Sequence, residues 1–148
     1  MRVILQRVKY ASVTVDNQLI NKIDEGFLLL VGVKVNEKKE DVEKIARKIS
    51  GLRIFEDENH KLNRALKDVN GEILSISQFT LYADLKKGNR PSFVDAAGRE
   101  EAIKFYEYFN ELLKMNGINV KTGVFGADMK IELLNDGPVT IILDSENM

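Results

Sequence analysis

The sequence predicts an α/β domain of the α+β kind, in which two helices pack on largely antiparallel sheets that form a barrel-like core. Its first third alternates apolar and polar residues between turn signals, a pattern typical of antiparallel strands. Two segments with helical periodicity are interposed between blocks of strands. The chain has 148 residues and no internal repeat or Pro-, Gly- or Ser-rich linker. We therefore assign 1–148 to a single domain.

Four strands are expected before the first helix, at 3–8, 12–15, 19–23 and 27–33. Asp16 and Asn17 can adopt the positive φ angles of a tight hairpin turn between the second and third strands. Asp24-Glu25-Gly26 supplies the next turn. The run 27–33 is apolar at successive positions, so it is predicted to be a central strand covered on both faces.

The first helix is predicted over 37–49, with Asn36 as its cap and Gly51 at its end. The second is predicted over 95–115 and ends at Asn116-Gly117. Further strands are expected at 52–55, 72–77, 118–124, 129–135 and 139–143. The apolar stripes of the two helices are Val42, Ile45, Ala46 and Ile49 in the first, and Ala102, Phe105, Tyr106, Phe109, Leu112 and Leu113 in the second.

The composition excludes several kinds of chemistry. The chain has no cysteine, which rules out thiol catalysis, disulfides and cysteine-ligated metals. Its one histidine, His60, lies in the polar segment EDENHKLNR and is expected on the surface, so no histidine-based triad or zinc site is predicted. No P-loop and no GxGxxG after a strand occurs. An enzyme built on this chain is expected to work without a metal, a cofactor or a nucleophile–base pair.

The net charge of −1, with 30% charged residues, shows no general basic excess of the kind that many nucleic-acid binders carry. A polyanion would therefore have to be held by local basic clusters. The opening MRVILQRVKY lacks the features of a signal peptide, and no apolar run is long enough to span a membrane. These features predict a cytoplasmic protein with no membrane partner.

The stretch SQFTLYADLKKGNRPSF at 77–93 is unusual for a structural segment. It places Ser77, Gln78 and Thr80 at the end of a predicted buried strand, followed by a basic loop. Exposed backbone N–H groups beside hydroxyl and amide side chains suit acyl transfer from an activated ester, where an oxyanion hole supplies most of the help. The alternative is that the hydroxyls only satisfy the strand end. The loop contributes Lys86, Lys87 and Arg90, which are candidate phosphate contacts or simply solvated charges.

A second stretch, NDGPVT at 135–140, is a turn signal before an apolar strand. The Gly137-Pro138 bond can be cis at a cost of roughly 0.5–1 kcal/mol. Its simplest interpretation is a loop that enters the last strand.

Together these motifs resemble the D-aminoacyl-tRNA deacylase family. The similarity rests on SQFTLYAD, KKGNRPSF and NDGPVT, and also on the opening MRVILQRVKYASVTVD and on TGVFGADM at 122–129. It covers essentially the whole chain in order. Position 83 is alanine, where glycine also occurs in the family.

The resemblance implies the fold of that family and hydrolysis of the ester that joins a D-amino acid, or mischarged glycine, to the terminal adenosine of tRNA. It also implies a homodimer with two sites at the interface. Residues 77–80 would form one wall of the pocket, and Gly137 and Pro138 a Gly-cis-Pro element that reaches into the partner's site and rejects L-aminoacyl groups. The residues so implied are Ser77, Gln78, Phe79 and Thr80 as catalytic, and Gly137, Pro138, Phe125 and Met129 as substrate-binding.

On this interpretation, backbone N–H groups near Gln78 and Phe79 stabilise the oxyanion, and the ribose 2′-hydroxyl assists the attacking water. A nucleophilic Thr80 ranks below this route, because nothing in the sequence would deprotonate its hydroxyl. Lys86, Lys87 and Arg90 would hold tRNA phosphates; no metal, cofactor or DNA partner is expected. Two alternatives remain: an editing domain of the archaeal threonyl-tRNA synthetase kind, and a non-catalytic RNA- or protein-binding module.

Overall fold

A computed structural model describes residues 1–148, with eight strands, two α-helices and three short 3₁₀ turns. Neither α-helix is long and apolar enough to cross a membrane. The helices are α1 (Lys39–Gly51) and α2 (Arg99–Met115), and the 3₁₀ turns are Leu66–Val69, Phe79–Tyr82 and Ser145–Asn147. The strands are β1 (Arg2–Val15), β2 (Gln18–Ile23), β3 (Gly26–Gly32), β4 (Arg53–Glu56), β5 (Leu62–Ala65), β6 (Glu72–Ser77), β7 (Asn119–Thr122) and β8 (Lys130–Asp144).

Six strands form one sheet in the order β2-β1-β3-β6-β7, with β8 paired to β1. The contacts of β1 with β2, β3 and β8 are antiparallel, as the sequence predicts. The β3–β6 and β6–β7 pairs are parallel, because a helix-containing connection precedes β6 and another precedes β7, and such crossovers return the chain in the same direction. β4 and β5 form a separate hairpin.

The sheet curls into a nearly closed barrel whose seam lies between β2 and β7, the two ends of the hydrogen-bonded path. Side chains bridge this seam instead of a backbone ladder. The Asn21 side-chain amide donates to the carbonyl oxygen of Thr122 at 2.6 Å, and Lys121 Nζ donates to the carbonyl oxygen of Lys22 at 2.9 Å. The predicted barrel-like core is confirmed.

Two hydrophobic clusters lie on opposite faces of the sheet. Along β3, Phe27, Leu29 and Val31 point to the larger cluster, which the helices cover, whereas Leu28 belongs to the smaller cluster inside the barrel. This alternation explains why the strand is apolar on both faces. The first helical stripe is fully buried, while Phe105 and Leu112 of the second stripe are only partly buried.

The strand boundaries differ from the sequence-based prediction where long-range strand pairing determines them. The segments predicted as 3–8 and 12–15 are one strand, β1, and those predicted as 129–135 and 139–143 are one strand, β8. The two long strands pair with each other through register shifts that absorb the irregular residues. β5 was not predicted, because its four residues have no apolar alternation.

Both helices begin later than predicted, α1 at Lys39 and α2 at Arg99. Asn36 has a φ of 55° and does not cap α1; Lys38 occupies that position. The reason is a buried ion pair between the Met1 amino group and the Glu37 carboxylate, at 2.7 Å, which holds this segment outside the helix. The hairpin turn is as expected, since Asp16 and Asn17 both have positive φ.

Candidate active site

A cavity of about 260 Å³ opens at the end of β6, between α2 and the segment that joins β7 to β8. Most of its lining is apolar, and it includes three of the four residues of the 77–80 motif together with Phe125 and Met129. Two parts of the sequence that resembled one family's site therefore meet at one cavity. The lining residues are Val31, Val33, Ile76, Ser77, Gln78, Phe79, Ala102, Tyr106, Phe125, Gly126, Ala127, Asp128, Met129 and Ile131.

The 77–80 wall forms because β6 ends at Ser77 and the chain turns into the 3₁₀ turn Phe79–Tyr82. The N–H of Gln78 donates to the carbonyl oxygen of Val31 at 2.7 Å, so it is not free to bind an oxyanion. That part of the sequence-based expectation is wrong. Phe79 and Thr80 open the turn, and the first N–H groups of a helical turn have no partner within it. The donors available to a ligand at this wall are therefore those of Phe79 and Thr80.

Two residues that the sequence did not single out hold this turn in place. Gly32, at the end of β3, lets it approach, because a Cβ there would lie 3.1 Å from Leu81 Cβ and 3.2 Å from the Gln78 carbonyl oxygen. Arg2 Nη1 donates to the carbonyl oxygen of Leu81 at 2.7 Å. The same guanidinium pairs with Asp144 at 2.8 Å. Arg2, near the N-terminus, thus holds the turn and is itself held by Asp144, near the C-terminus.

Tyr106 of α2 joins the two walls of the cavity. Its hydroxyl donates to the carbonyl oxygen of Ser75 at 2.7 Å, where the β6–β7 ladder ends. Its ring packs against Phe125 with centroids 5.8 Å apart. Burial raises the pKa of the Tyr106 hydroxyl, so it stays neutral and acts as a donor.

Met129 approaches the wall because residue 123 is a glycine. A Cβ at Gly123 would lie 2.5 Å from Met129 Sδ and 3.2 Å from Ile76 Cδ1. The sequence signal for this contact was a glycine immediately after a short strand.

Gly137 and Pro138 do not line the cavity of their own chain. The peptide bond between them is cis, as expected. Buried Arg7 holds this turn, donating from Nε to the carbonyl oxygen of Asp136 at 3.0 Å and from Nη1 to that of Ile54 at 2.6 Å. Asn135 closes it by accepting from the Val139 N–H at 3.1 Å.

The side chains of the remaining candidates are not part of the cavity lining. Lys86, Lys87 and Arg90 are exposed on the loop between the 3₁₀ turn and α2, and only Lys86 borders a second, polar cavity. Thr80 is exposed, and its hydroxyl accepts from the Gln78 side-chain amide. The side chain of His60 is 88% exposed, which confirms that it is a surface residue. No group of three or more His, Asp or Glu side chains is arranged to hold a metal ion.

The fold is shared with solved structures. A structure titled c-Myc DNA Unwinding Element Binding Protein superposes with a TM-score of 0.90 at 41% identity and covers 97% of this chain and 98% of its own. A probable eukaryotic D-amino acid tRNA deacylase superposes with a TM-score of 0.83, over 96% of this chain and 97% of its own. At 15% identity, that second match concerns the fold alone.

The family described as D-Tyr-tRNA(Tyr) deacylase matches residues 4–144. The D-aminoacyl-tRNA deacylase of Exiguobacterium sibiricum is 58% identical over 144 residues, which are 97% of this chain and 99% of that protein. The protein of the same name from Staphylococcus aureus is 54% identical over 147 residues, 99% of this chain and 97% of the relative. The chain therefore belongs to the D-aminoacyl-tRNA deacylase family.

Proposed function

We propose that this protein hydrolyses the ester bond of D-aminoacyl-tRNA and releases the free D-amino acid and tRNA. The names of relatives that are 54–58% identical over nearly the whole chain support the activity. The observation that carries the mechanism is the 77–80 wall, which borders an apolar cavity large enough for part of a nucleoside. Family membership predicts that Phe125 and Met129 contact the terminal adenosine there. The cytoplasm, where charged tRNA is used, is the expected location.

The chemistry asked of the protein is modest, because an aminoacyl ester is already activated. Water adds to the carbonyl carbon, the tetrahedral oxyanion is held by the N–H groups of Phe79 and Thr80, and the C–O bond to the ribose breaks. The ribose oxygen leaves with a proton. Each such donor contributes about 2.7–4 kcal/mol in other hydrolases. The vicinal 2′-hydroxyl orients the water, so no histidine is needed. The hydroxyl of Thr80 contacts the Gln78 amide, which is not a base, and this argues against a threonine nucleophile.

We further propose a homodimer in which the Gly137–Pro138 turn of one subunit completes the other subunit's site. Supporting this, β8 is 15 residues long and pairs only with β1, so its outer edge is free. Unpaired edges of this length invite pairing with another chain. Leu134 and Ile142, half or more exposed, add apolar area along the strand.

The proposed selectivity against L-residues is steric. The proposal rests on family membership. The partner's Gly137–Pro138 turn lies against the α-carbon of the bound aminoacyl group, so that an L-residue would drive its Cβ into the wall. A D-residue points its side chain away and is accepted. Glycine has no Cβ to exclude, so glycyl-tRNA is also cleaved. Discrimination of ten-thousand-fold needs about 5.5 kcal/mol, which a rigid clash can supply.

The loop that carries Lys86, Lys87 and Arg90 is proposed to contact tRNA phosphates beyond the cavity. None of the three forms an ion pair within the chain, which leaves their charges free for an external anion. Such contacts weaken as the salt concentration rises, because binding then gains less from the release of counterions.

The deciding experiment compares hydrolysis of D-tyrosyl-tRNA, L-tyrosyl-tRNA and glycyl-tRNA, with a parallel light-scattering measurement of the oligomeric state. We expect a dimer, rapid cleavage of the D and glycyl substrates, and an L rate lower by about ten-thousand-fold. Binding of D-tyrosyl-tRNA without cleavage would favour a non-catalytic module. Equal D and L rates would reject the steric wall.

One structural relative is named for binding a DNA element. A duplex DNA competitor tests that function here. We expect duplex DNA to leave tRNA hydrolysis unchanged, because a paired duplex offers no unpaired terminal nucleoside for the cavity.

A further inference from the structure

Arg99, the first residue of α2, lies at the rim of the cavity and has neither an ion-pair partner nor a hydrogen-bond partner. Its side chain forms no ion pair and no hydrogen bond, whereas Arg2 and Arg7 are each paired with a carboxylate. Its guanidinium carbon lies 5.4 Å from the centre of the Phe125 ring, and Phe125 lines the cavity. A cation in the first turn of a helix opposes the helix dipole, so helix stability does not account for it.

The backbone beside Arg99 is shaped to receive its guanidinium. A Cβ at Gly126 would lie 2.5 Å from Arg99 Nη1, and Gly126 has a φ of +78° that side-chain-bearing residues rarely adopt. Glycine at 126 therefore leaves room for the guanidinium at the cavity rim. The guanidinium lies over the Phe125 ring and has no hydrogen-bond partner within the chain, so its N–H groups are available to bind an oxyanion.

The cavity itself offers no cation. Asp128 is the one charged residue in its lining, and its carboxylate pairs with Lys130 at 3.2 Å. A nucleotide whose base and sugar enter this cavity brings a 5′-phosphate that must remain at the rim. Arg99 is the basic residue in contact with the Phe125–Gly126 rim.

We propose that Arg99 binds the 5′-phosphate of the nucleotide seated in the cavity. Resting on the proposed function, this phosphate is the link between the terminal adenosine of tRNA and the nucleotide before it. The contact is separate from the basic loop at 86–90, which lies outside the cavity lining. Arg99 thus sets the depth and direction in which the terminal nucleotide enters, and its contribution is to binding and not to the chemical step.

The test is the binding of adenosine 5′-monophosphate and of adenosine to the full chain, measured by calorimetry or by NMR titration. The variants are Arg99→Gln, Arg99→Lys and the matched control Lys104→Gln, which removes an exposed positive charge from the same helix outside the cavity lining. Wild type and Lys104→Gln should bind the monophosphate about tenfold more tightly than adenosine, the effect of one charge-assisted contact. Arg99→Gln should lose that preference with adenosine affinity unchanged, and Arg99→Lys should keep part of it.

A preference for the monophosphate that survives in Arg99→Gln overturns the proposal, as does the absence of monophosphate binding by the wild type. With D-tyrosyl-tRNA, Arg99→Gln should raise KM about tenfold and leave kcat unchanged. If the wild type shows the Arg99-dependent preference and yet does not cleave D-tyrosyl-tRNA, the nucleotide site stands and the proposed deacylase function falls.

Discussion

Arg7 donates from Nε to the carbonyl oxygen of Asp136, 3.0 Å away, and so fixes the residue that precedes Gly137. A Cβ at Gly137 would lie 3.1 Å from Arg7 Nη2, which shows how closely the guanidinium supports the turn. The proposed selectivity wall is thus held by a buried arginine of another strand.

Arg7→Met should therefore loosen the turn and destabilise the fold. Two carbonyl groups lose a charged donor, and we expect a loss of about 3 kcal/mol in the free energy of unfolding by urea. The ratio of D-tyrosyl-tRNA to L-tyrosyl-tRNA cleavage should fall, because the wall no longer keeps one position. Lys9→Met is the control: Lys9 also pairs with Asp136, at 3.4 Å, but is half exposed, so its loss should cost less than about 1 kcal/mol. An unchanged ratio in Arg7→Met would contradict the steric proposal.

Thr80→Ala separates RNA assistance from a threonine nucleophile. Since the Thr80 hydroxyl contacts only the Gln78 amide, its removal should lower kcat less than about tenfold. A D-tyrosyl-tRNA that ends in 2′-deoxyadenosine should be cleaved about a hundredfold more slowly or worse, the usual scale of lost proton-transfer assistance. An acyl group trapped on Thr80 and detected by mass spectrometry would instead support the threonine nucleophile over RNA assistance.

Gly32→Ala tests whether the 3₁₀ turn must sit where it does. The added methyl group meets Leu81 Cβ at 3.1 Å and pushes the N–H groups of Phe79 and Thr80 away from the cavity. Displacement by a fraction of an ångström should lower kcat by about ten- to a hundredfold. Gly51→Ala, where nothing lies within 4 Å, should leave kcat unaltered. Equal effects of the two substitutions would remove the positional argument.

The Arg2–Asp144 pair predicts a dependence of stability on pH. Burial alone disfavours the charged form of Asp144, but the Glu146 N–H and the Arg2 guanidinium together hold its pKa below the ordinary 3.8. Because the folded chain keeps Asp144 ionised where the unfolded chain protonates it, this stabilisation is present above pH 3.8 and is lost as the pH falls further.

In Asp144→Asn, melting temperatures recorded from pH 7 to about pH 2 should start lower and fall less steeply below about pH 3.8. Glu111→Gln, which removes a surface pair with Lys114, should follow the wild-type curve. A wild-type slope in Asp144→Asn would show that this pair does not contribute to acid sensitivity.

Local signals in the sequence were sufficient for the helix stripes, for the end of β6 at Ser77 and for the hairpin at Asp16-Asn17. Each of these depends on residues within a few positions of one another. The parallel pairing of β3 with β6 was not predictable in this way, because it joins segments more than forty residues apart. Nor was the hydrogen bond that takes up the Gln78 N–H, since its acceptor, Val31, lies on that distant neighbour strand.

In the candidate site, too, local sequence signals predicted some features, whereas contacts between distant segments were not predictable. Motifs within the 77–80 and 122–129 segments indicated the two walls, and family resemblance placed both at one pocket. A role for Arg99 is not predictable from the sequence, because it depends on contact with Phe125, which the rest of α2 and β7 separate from it in the chain. The role of Gly32 is not predictable for a similar reason. A glycine at a strand end is common, and only the turn packed against Gly32 makes it necessary.

The side-chain seam between β2 and β7 determines where the barrel opens first. β7 is held to the sheet by a ladder of four residue pairs on one side only, whereas β1 is paired with β3 over seven and with β8 along nearly its whole length. Backbone amides of β7 should accordingly exchange with deuterium well before those of β1, through local opening of this strand. The segment 123–129, which forms the far wall of the cavity, continues directly from this weakly held strand. We therefore expect that, if the cavity widens for an incoming nucleoside, it does so from the β7 side, while the 77–80 wall opposite keeps its position.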